Sequence, residues 1–333
     1  MTVVVCTVPQ NRFDFYRVTF PADWEIRFVV MPIPDDIIIQ QCRGADFLLI
    51  SPVHRISDRV INNSPSLRII QIEGPNYDKV DIEAATRVSL PVCNNRREAT
   101  ESIAEFSVNL MLAGLRRTAH ADQQIKDGQF EQCQKNYRFQ GIHEMRSRKV
   151  GLIGCGPVGR TVARMLQAFR CRLFYYDRLP LTTSLEATLR LTKMGFDDLI
   201  ATCDIISLHI PSSPQTINLI NKERIELMKP SALIINTSEG AIINQSDLAT
   251  ALESGRIYGA ALDTLTPEPP PPDHPLLNLT PAGRMRLTIT PHVAGTTNEF
   301  FSRRLIGAVT NMVRVNRGKN PIDVVNGIVK ARN

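Results

Sequence analysis

The chain has 333 residues, 43% of them hydrophobic and 22% charged, with a formal net charge of +6. This is long for one hydrophobic core, so two domains are expected, and the longest apolar runs, such as residues 231–236, are far too short to span a bilayer. The basic residues are dispersed, and the densest group (Arg138, Arg146, Arg148, Lys149) has no interleaved aromatics, so the charge suits anionic small molecules or solvated surface rather than nucleic acid.

In chain order, residues 1–6 read as a first strand and lack the basic start and long apolar core of a signal peptide. Residues 46–50, 67–72 and 90–93 are further short β-rich runs, separated by the helix-permissive segments 34–43 and 58–62, a rhythm that predicts a small α/β layer. One long helix is expected from Glu101 to about Gln129, with Ile103, Phe106, Val108, Leu110, Met111 and Leu115 on its apolar face. Residues 127–148 are polar and without period, and are expected to be a loop or an intersubunit arm. Apolar runs follow at 149–153, 172–176, 204–210, 232–236, 259–263 and 286–290, as in a parallel sheet covered on both faces. Residues 268–272, with four prolines, can only be an extended, stiff loop. A helix over 298–316 and a tail returning to the first domain complete the chain. The seven cysteines are scattered, with no CxxC pair and no zinc spacing. Reduced thiols, no metal and a cytoplasmic location are the expectation.

The most informative segment is Gly154-Cys155-Gly156-Pro157-Val158-Gly159, which follows the 149–153 strand, opens a helix, and is followed by a strand ending on Asp177. This is the dinucleotide fingerprint in its required context. Gly154 permits the tight turn, Gly156 lets backbone approach a pyrophosphate, and Gly159 lets helix and strand pack closely. The anion is held at the helix N-terminus by free N–H groups and the macrodipole. A carboxylate at Asp177 accepts hydrogen bonds from ribose hydroxyls and repels a 2′-phosphate, which predicts NAD rather than NADP.

With these residues in place, the chain resembles the D-isomer-specific 2-hydroxyacid dehydrogenase family along almost its whole length. Residues Gly74-Pro75-Asn76 resemble the family loop that offers backbone N–H groups to a substrate carboxylate, and Ile103-Ala104-Glu105 matches the start of its interdomain helix. His209-Ile210-Pro211, Thr237-Ser238, Asp263, His292 and Ala294 stand where the family touches its cofactor. The resemblance implies an α/β fold: a Rossmann-type doubly wound parallel sheet over residues 100–297, which binds NAD. A smaller flavodoxin-like α/β domain, bearing on substrate, would form from residues 1–99 and 298–333. It also implies a small-molecule substrate and a homodimer.

The family's chemistry uses a histidine as general acid/base, a glutamate that orients it, and an arginine that grips the substrate carboxylate. The motifs carry these roles to His292 and Glu268, and the glutamate is expected to raise the histidine pKa. The arginine position, in Asn236-Thr237-Ser238-Glu239-Gly240, holds Glu239 instead. A charge-assisted arginine contact is worth about 1.5–3 kcal/mol, and two like charges 4 Å apart repel by about 4 kcal/mol at an effective dielectric near 20. Three readings of this reversal are open. Another base (Arg55, Arg96, Arg97 or His54) could anchor the carboxylate; Glu239 could bind an amine or hydroxyl of an unusual substrate; or the chain could bind NAD(H) as a regulatory protein with impaired catalysis.

Overall fold

Short runs rich in Val, Ile and Leu, each closed by a turn, set the strands of this computed structural model, which describes residues 1–95, 99–139 and 141–332. The chain divides into two units, Met1–Ala99 with Thr296–Asn333, and Thr100–Gly295.

The first unit holds β1 (Thr2–Cys6), β2 (Trp24–Phe28), β3 (Phe47–Ile50), β4 (Ile69–Ile72) and β5 (Val92–Cys93). All pairings are parallel, in the order β2-β1-β3-β4-β5, the flavodoxin-like arrangement. Every side chain of β3 and β4 is buried, because both faces are covered. Ile38, Val60, Ile61 and Ala84 pack on one face, from helices Asp35–Cys42, Asp58–Asn62 and Ile82–Arg87. Phe13 and the Leu305, Ala308, Met312 and Val315 stripe of helix Asn298–Asn316 cover the other. β2 has no counterpart among the expected strands. It is an edge strand whose last four residues are only half-buried, so its apolar–charged alternation is short and weak.

The second unit holds β6 (Lys149–Ile153), β7 (Arg172–Tyr176), β8 (Leu191–Lys193), β9 (Ile205–Leu208), β10 (Leu233–Asn236), β11 (Gly259–Leu262) and β12 (Leu287–Ile289). The sheet is parallel throughout, ordered β12-β11-β10-β9-β6-β7-β8. This is a Rossmann-type doubly wound sheet whose order reverses between β6 and β9. At that switch point, crossover connections leave to opposite faces, and ligands bind beyond the carboxyl ends of the strands. Every candidate site residue of this unit lies on a segment leaving such an end. Helix Thr100–Arg116 buries Ala104, Leu110, Met111 and Leu115 against Leu233 and Ile235.

Three local expectations need correction here. The long helix from Glu101 is broken: Arg117 is left-handed (φ 50°), and a second helix, Thr118–Lys126, follows. The left-handed turn lets the Arg117 guanidinium lie 4.6 Å over the Tyr258 ring, while its carbonyl accepts a 2.8 Å bond from Tyr137 Oη. The stretch expected to be aperiodic contains a ten-residue helix, Phe130–Phe139. Only Cys133 of that helix is buried, so its apolar stripe is too thin to register as a period. The third correction is β8, a three-residue edge strand with only Leu191 buried, which the sequence did not announce.

Candidate active site

The glycine turn is built as the motif demands. Gly154 has φ +95°, and a Cβ there would sit 2.4 Å from the His209 carbonyl oxygen. A Cβ on Gly159 would sit 2.3 Å from the Gly154 carbonyl oxygen, so helix Pro157–Leu166 packs directly on the turn. Gly156 faces open space, and no side chain caps this helix, which leaves its first N–H groups for an anion. Pro157 occupies the first turn, where its missing N–H costs nothing, and Val158 is half-buried beside it. The Asp177 carboxylate closes the turn. Its Oδ2 accepts from Cys155 N at 2.8 Å and its Oδ1 from Leu179 N at 3.3 Å. Burial pushes the Cys155 thiol up to about 12, so it stays protonated.

After β9, His209 N donates to the Ile153 carbonyl at 2.7 Å, tying the two strands of the switch point together. Its ring Nε2 lies 2.9 Å from Ser207 Oγ, and Nδ1 is buried without a partner. Burial pulls this imidazole down to about 4, so it is neutral at neutral pH. Ile210 packs on the core, and the Pro211 carbonyl accepts from Thr216 Oγ1 at 2.8 Å.

After β10, the buried Asn236 staples the turn that presents Glu239. Its Nδ2 donates to the Glu239 carbonyl at 2.9 Å, and its Oδ1 accepts from Ser238 N and Ser238 Oγ at 3.0 and 2.8 Å. Thr237 Oγ1 pairs with Ser107 Oγ at 2.7 Å inside the core. The Glu239 side chain is thereby turned outward and exposed, and among the described residues no cation pairs with it.

After β11 and β12 two segments lock together. Asp263, 1% exposed, accepts from Thr290 Oγ1 (2.6 Å) and Val293 N (2.9 Å) on Oδ1, and from Ala294 N (2.8 Å) on Oδ2. Its backbone carbonyl accepts from His292 N at 2.8 Å. Asp263 therefore anchors the 290–294 segment, which holds His292 in a left-handed conformation (φ 55°) that a non-glycine residue adopts only when its surroundings impose it. The proline loop then brings Glu268 across: Oε1 accepts from Leu265 N at 2.9 Å, and His292 Nδ1 donates to Oε2 at 2.7 Å. Burial works against the imidazolium, but the Glu268 hydrogen bond and charge outweigh it, with Asp263 and Glu239 adding to the effect, and the His292 pKa is raised. Glu268 is correspondingly lowered: burial opposes its charge, and the bonds from His292 and Leu265 overcome it. The His292 side chain is 56% exposed, and its Nε2 has no partner among the described residues. An oriented acid/base with one free nitrogen facing outward can give or take a proton at a bound carbonyl or hydroxyl oxygen.

One supporting residue had no signal in the sequence. His274, 3% exposed, accepts from Leu276 N at 3.3 Å on Nδ1 and lies 3.2 Å from the Thr266 carbonyl on Nε2. It pins the loop two residues before Glu268.

The loop at 74–76 lies in the first unit, beyond the carboxyl end of β4. Its Gly74 carbonyl accepts from Asn95 N at 3.0 Å, the Pro75 carbonyl accepts from Asn94 Nδ2 at 2.7 Å, and Pro75 and Asn76 form an exposed tip. A Cβ on Gly74 would sit 2.2 Å from Arg304 Nη2, so a larger residue there would displace that guanidinium. Beneath it Glu73, fully buried, pairs with Arg12 at 2.8 Å. His54 lies 2.9 Å from Thr7 Oγ1, and burial lowers its pKa against the opposing charge of Glu73. With Arg55 it lines a cavity of about 610 Å³ in the same unit. Arg96 and Arg97 lie outside the described residues.

The chain is similar to known proteins over most of its length. Residues 108–294 match the family model for the NAD binding domain of D-isomer specific 2-hydroxyacid dehydrogenases. A glyoxylate reductase of Korarchaeum cryptofilum is 32% identical over 302 residues, covering 90% of this chain and 89% of that protein. A D-3-phosphoglycerate dehydrogenase of Archaeoglobus fulgidus is 34% identical over 263 residues, covering 79% of this chain and 48% of that one. Among solved structures, the TT0316 protein of Thermus thermophilus superposes with a TM-score of 0.73 at 28% identity, over 98% of this chain and 100% of that chain. A D-2-hydroxyisocaproate dehydrogenase shares the fold with a TM-score of 0.81 at 20% identity, over 98% of this chain and 100% of that chain. With its glycine turn, its switch point and matches of this extent, the chain belongs to the D-isomer specific 2-hydroxyacid dehydrogenase family and carries that family's NAD-binding domain.

Proposed function

We propose that the protein is an NAD-dependent oxidoreductase that interconverts a small 2-keto acid and the corresponding 2-hydroxy acid, with Glu239 in the position of the family's arginine. The observation that carries this reading is the 2.7 Å contact between His292 and Glu268 on a loop anchored by Asp263. The residues of the glycine turn fit a dinucleotide: Gly156 faces open space, the helix behind it is uncapped, and Asp177 lies beside the turn. NADH, when bound, supplies the hydride. His292 supplies the proton that the carbonyl oxygen needs as the hydroxyl forms, and takes it back in the oxidative direction. Glu268 keeps the imidazole oriented and charged for the reductive direction. Glyoxylate is the first substrate to test, since several relatives are named glyoxylate reductases.

A second reading rests on Glu239 itself. Its exposed carboxylate, without a cation partner among the described residues, suits a substrate bearing an ammonium or hydroxyl group, which it would bind where the family's arginine grips a carboxylate. A panel of glyoxylate, pyruvate, hydroxypyruvate and amine-bearing keto acids, followed by loss of NADH absorbance, separates the two. Turnover of the simple acids supports the first reading, and turnover confined to the amine-bearing acids supports the second. NADH binding without turnover of any member refutes both and leaves an NAD(H)-responsive regulator. As in the family, the chain is expected to pair with a second copy, which sedimentation tests.

A further inference from the structure

At the amino ends of the second unit's strands, opposite the glycine turn and His292, positive charge gathers with no ion-paired carboxylate among the described residues. Arg148 immediately precedes β6, Tyr258 precedes β11 and Arg286 precedes β12. The Arg117 guanidinium lies 4.6 Å over the Tyr258 ring, and the His143 ring lies 4.8 Å from the same ring. Arg286 closes in from the next strand, its guanidinium 3.1 Å from the position a Cβ on Gly255 would take. Arg117 is 7% exposed, its Nε is buried with no partner among the described residues, and its Nη1 lies 3.5 Å from the Met285 sulfur. Among the described residues, no carboxylate forms an ion pair with Arg117, Arg148 or Arg286. The acid of this unit nearest in effect, Asp204, is already held by Lys229 at 2.8 Å and by Lys149 N at 2.9 Å.

An enclosed guanidinium needs compensation. The aromatic face offsets part of the charge, but it leaves the buried Nε–H of Arg117 without an acceptor among the described residues. Burial first, and then the neighbouring Arg117 charge, lowers the Arg286 pKa, as expected of two cations sharing one locality. Two planar donor forks in one locality suit a tetrahedral oxyanion better than a monovalent ion, because several oxygens can each accept a charge-assisted bond.

We propose that Arg117, Arg286 and Arg148 form a binding site for a phosphate-class oxyanion at the amino edge of the nucleotide-binding sheet. Arg117 is its floor, and the half-buried Arg286, Arg148 and His143 form its mouth. Strand β6 separates it from the glycine turn by about 16 Å, five residues at the usual rise. It is therefore distinct from the dinucleotide's own anion site, and independent of the reaction proposed above.

The test is a calorimetric titration of the full chain with inorganic phosphate in saturating NADH, which occupies the glycine turn, against chloride at matched ionic strength. The expected result is one phosphate per chain, at least tenfold weaker in Arg286→Gln and unchanged in the surface control Arg87→Gln. Should Arg117→Met fold, it should abolish the heat; should it not fold, Arg286→Gln carries the test alone. No heat in the wild type, or equal heat with chloride, overturns the site, as does equal affinity in Arg286→Gln. So does a chain that sediments as a dimer and ignores phosphate, since a second copy would then be what covers the arginines.

Discussion

Replacing Glu239 by arginine tests the charge reversal directly. The side chain is exposed at the end of a turn stapled by the Asn236 side chain, so the change should alter folding stability by no more than about 0.5 kcal/mol. Removing a carboxylate near a bound substrate carboxylate relieves about 1 kcal/mol at 4 Å in bulk water, and about 4 kcal/mol at an effective dielectric of 20. Because Glu239 is exposed, the lower end applies. Adding a guanidinium contact contributes a further 1.5–3 kcal/mol or so. Together these come to about 3 kcal/mol, or roughly a hundredfold gain in kcat/KM for glyoxylate and pyruvate. A second signature follows from the site's electrostatics. Glu239 helps hold the His292 proton, so an arginine there lowers the His292 pKa. Reduction requires the protonated imidazole and is lost as pH rises through that pKa. The alkaline limb should therefore move to lower pH even as the maximal rate climbs. Glu239→Gln, which removes the charge without adding the contact, should gain only the first increment. Steady-state kinetics over a pH series read both signatures. If Glu239→Arg leaves kcat/KM for both acids unchanged or lower, with a stationary alkaline limb, the idea that Glu239 obstructs a simple keto acid is wrong.

Four further outcomes are expected. Glu268→Gln removes the charge that raises His292, so the alkaline limb of reduction should shift to lower pH and reduction in alkaline solution should fall about tenfold or more; an unmoved pH profile would contradict this. His292→Gln should reduce turnover by about 10²–10⁴-fold while NADH binding, followed by fluorescence, stays within twofold or so of wild type. Asp263→Asn leaves one donor of the 290–294 segment facing an amide N–H, so thermal unfolding should report a loss of about 1–3 kcal/mol, with turnover falling alongside. The wild type should bind NADH more tightly than NADPH, and Asp177→Ser should narrow that gap; equal affinities in the wild type would rule out the role of Asp177.

Much of this protein was legible along the chain. Gly154, Gly156, Gly159 and Asp177 announce a dinucleotide turn because their constraints are local: a positive φ, a close backbone approach, an acid at the next strand's end. The near-continuous apolar runs likewise imply a parallel sheet, because a strand buried on both faces cannot alternate. The elements that escaped are those whose stability comes from elsewhere. β2 and β8 are edge strands with little burial of their own, and helix Phe130–Phe139 keeps only Cys133 inside. The break at Arg117 sits within a sequence that favours continuing the helix. At the break the arginine's guanidinium lies over the ring of Tyr258, 141 positions further along, a contact that local sequence does not carry.

The site divides in the same way. The resemblance to the family marked His292 and Glu268 as the expected acid/base pair, and Glu239 as the residue expected where the family keeps an arginine. Only the folded chain shows that Asp263 spends both carboxylate oxygens holding the histidine's segment, and that His274 pins the loop of Glu268. Only there does His292 prove to have one nitrogen committed and one without a partner among the described residues. Turns and periodicities are written in neighbouring residues, whereas a hydrogen bond between segments far apart in sequence exists only once the sheet has brought their ends together.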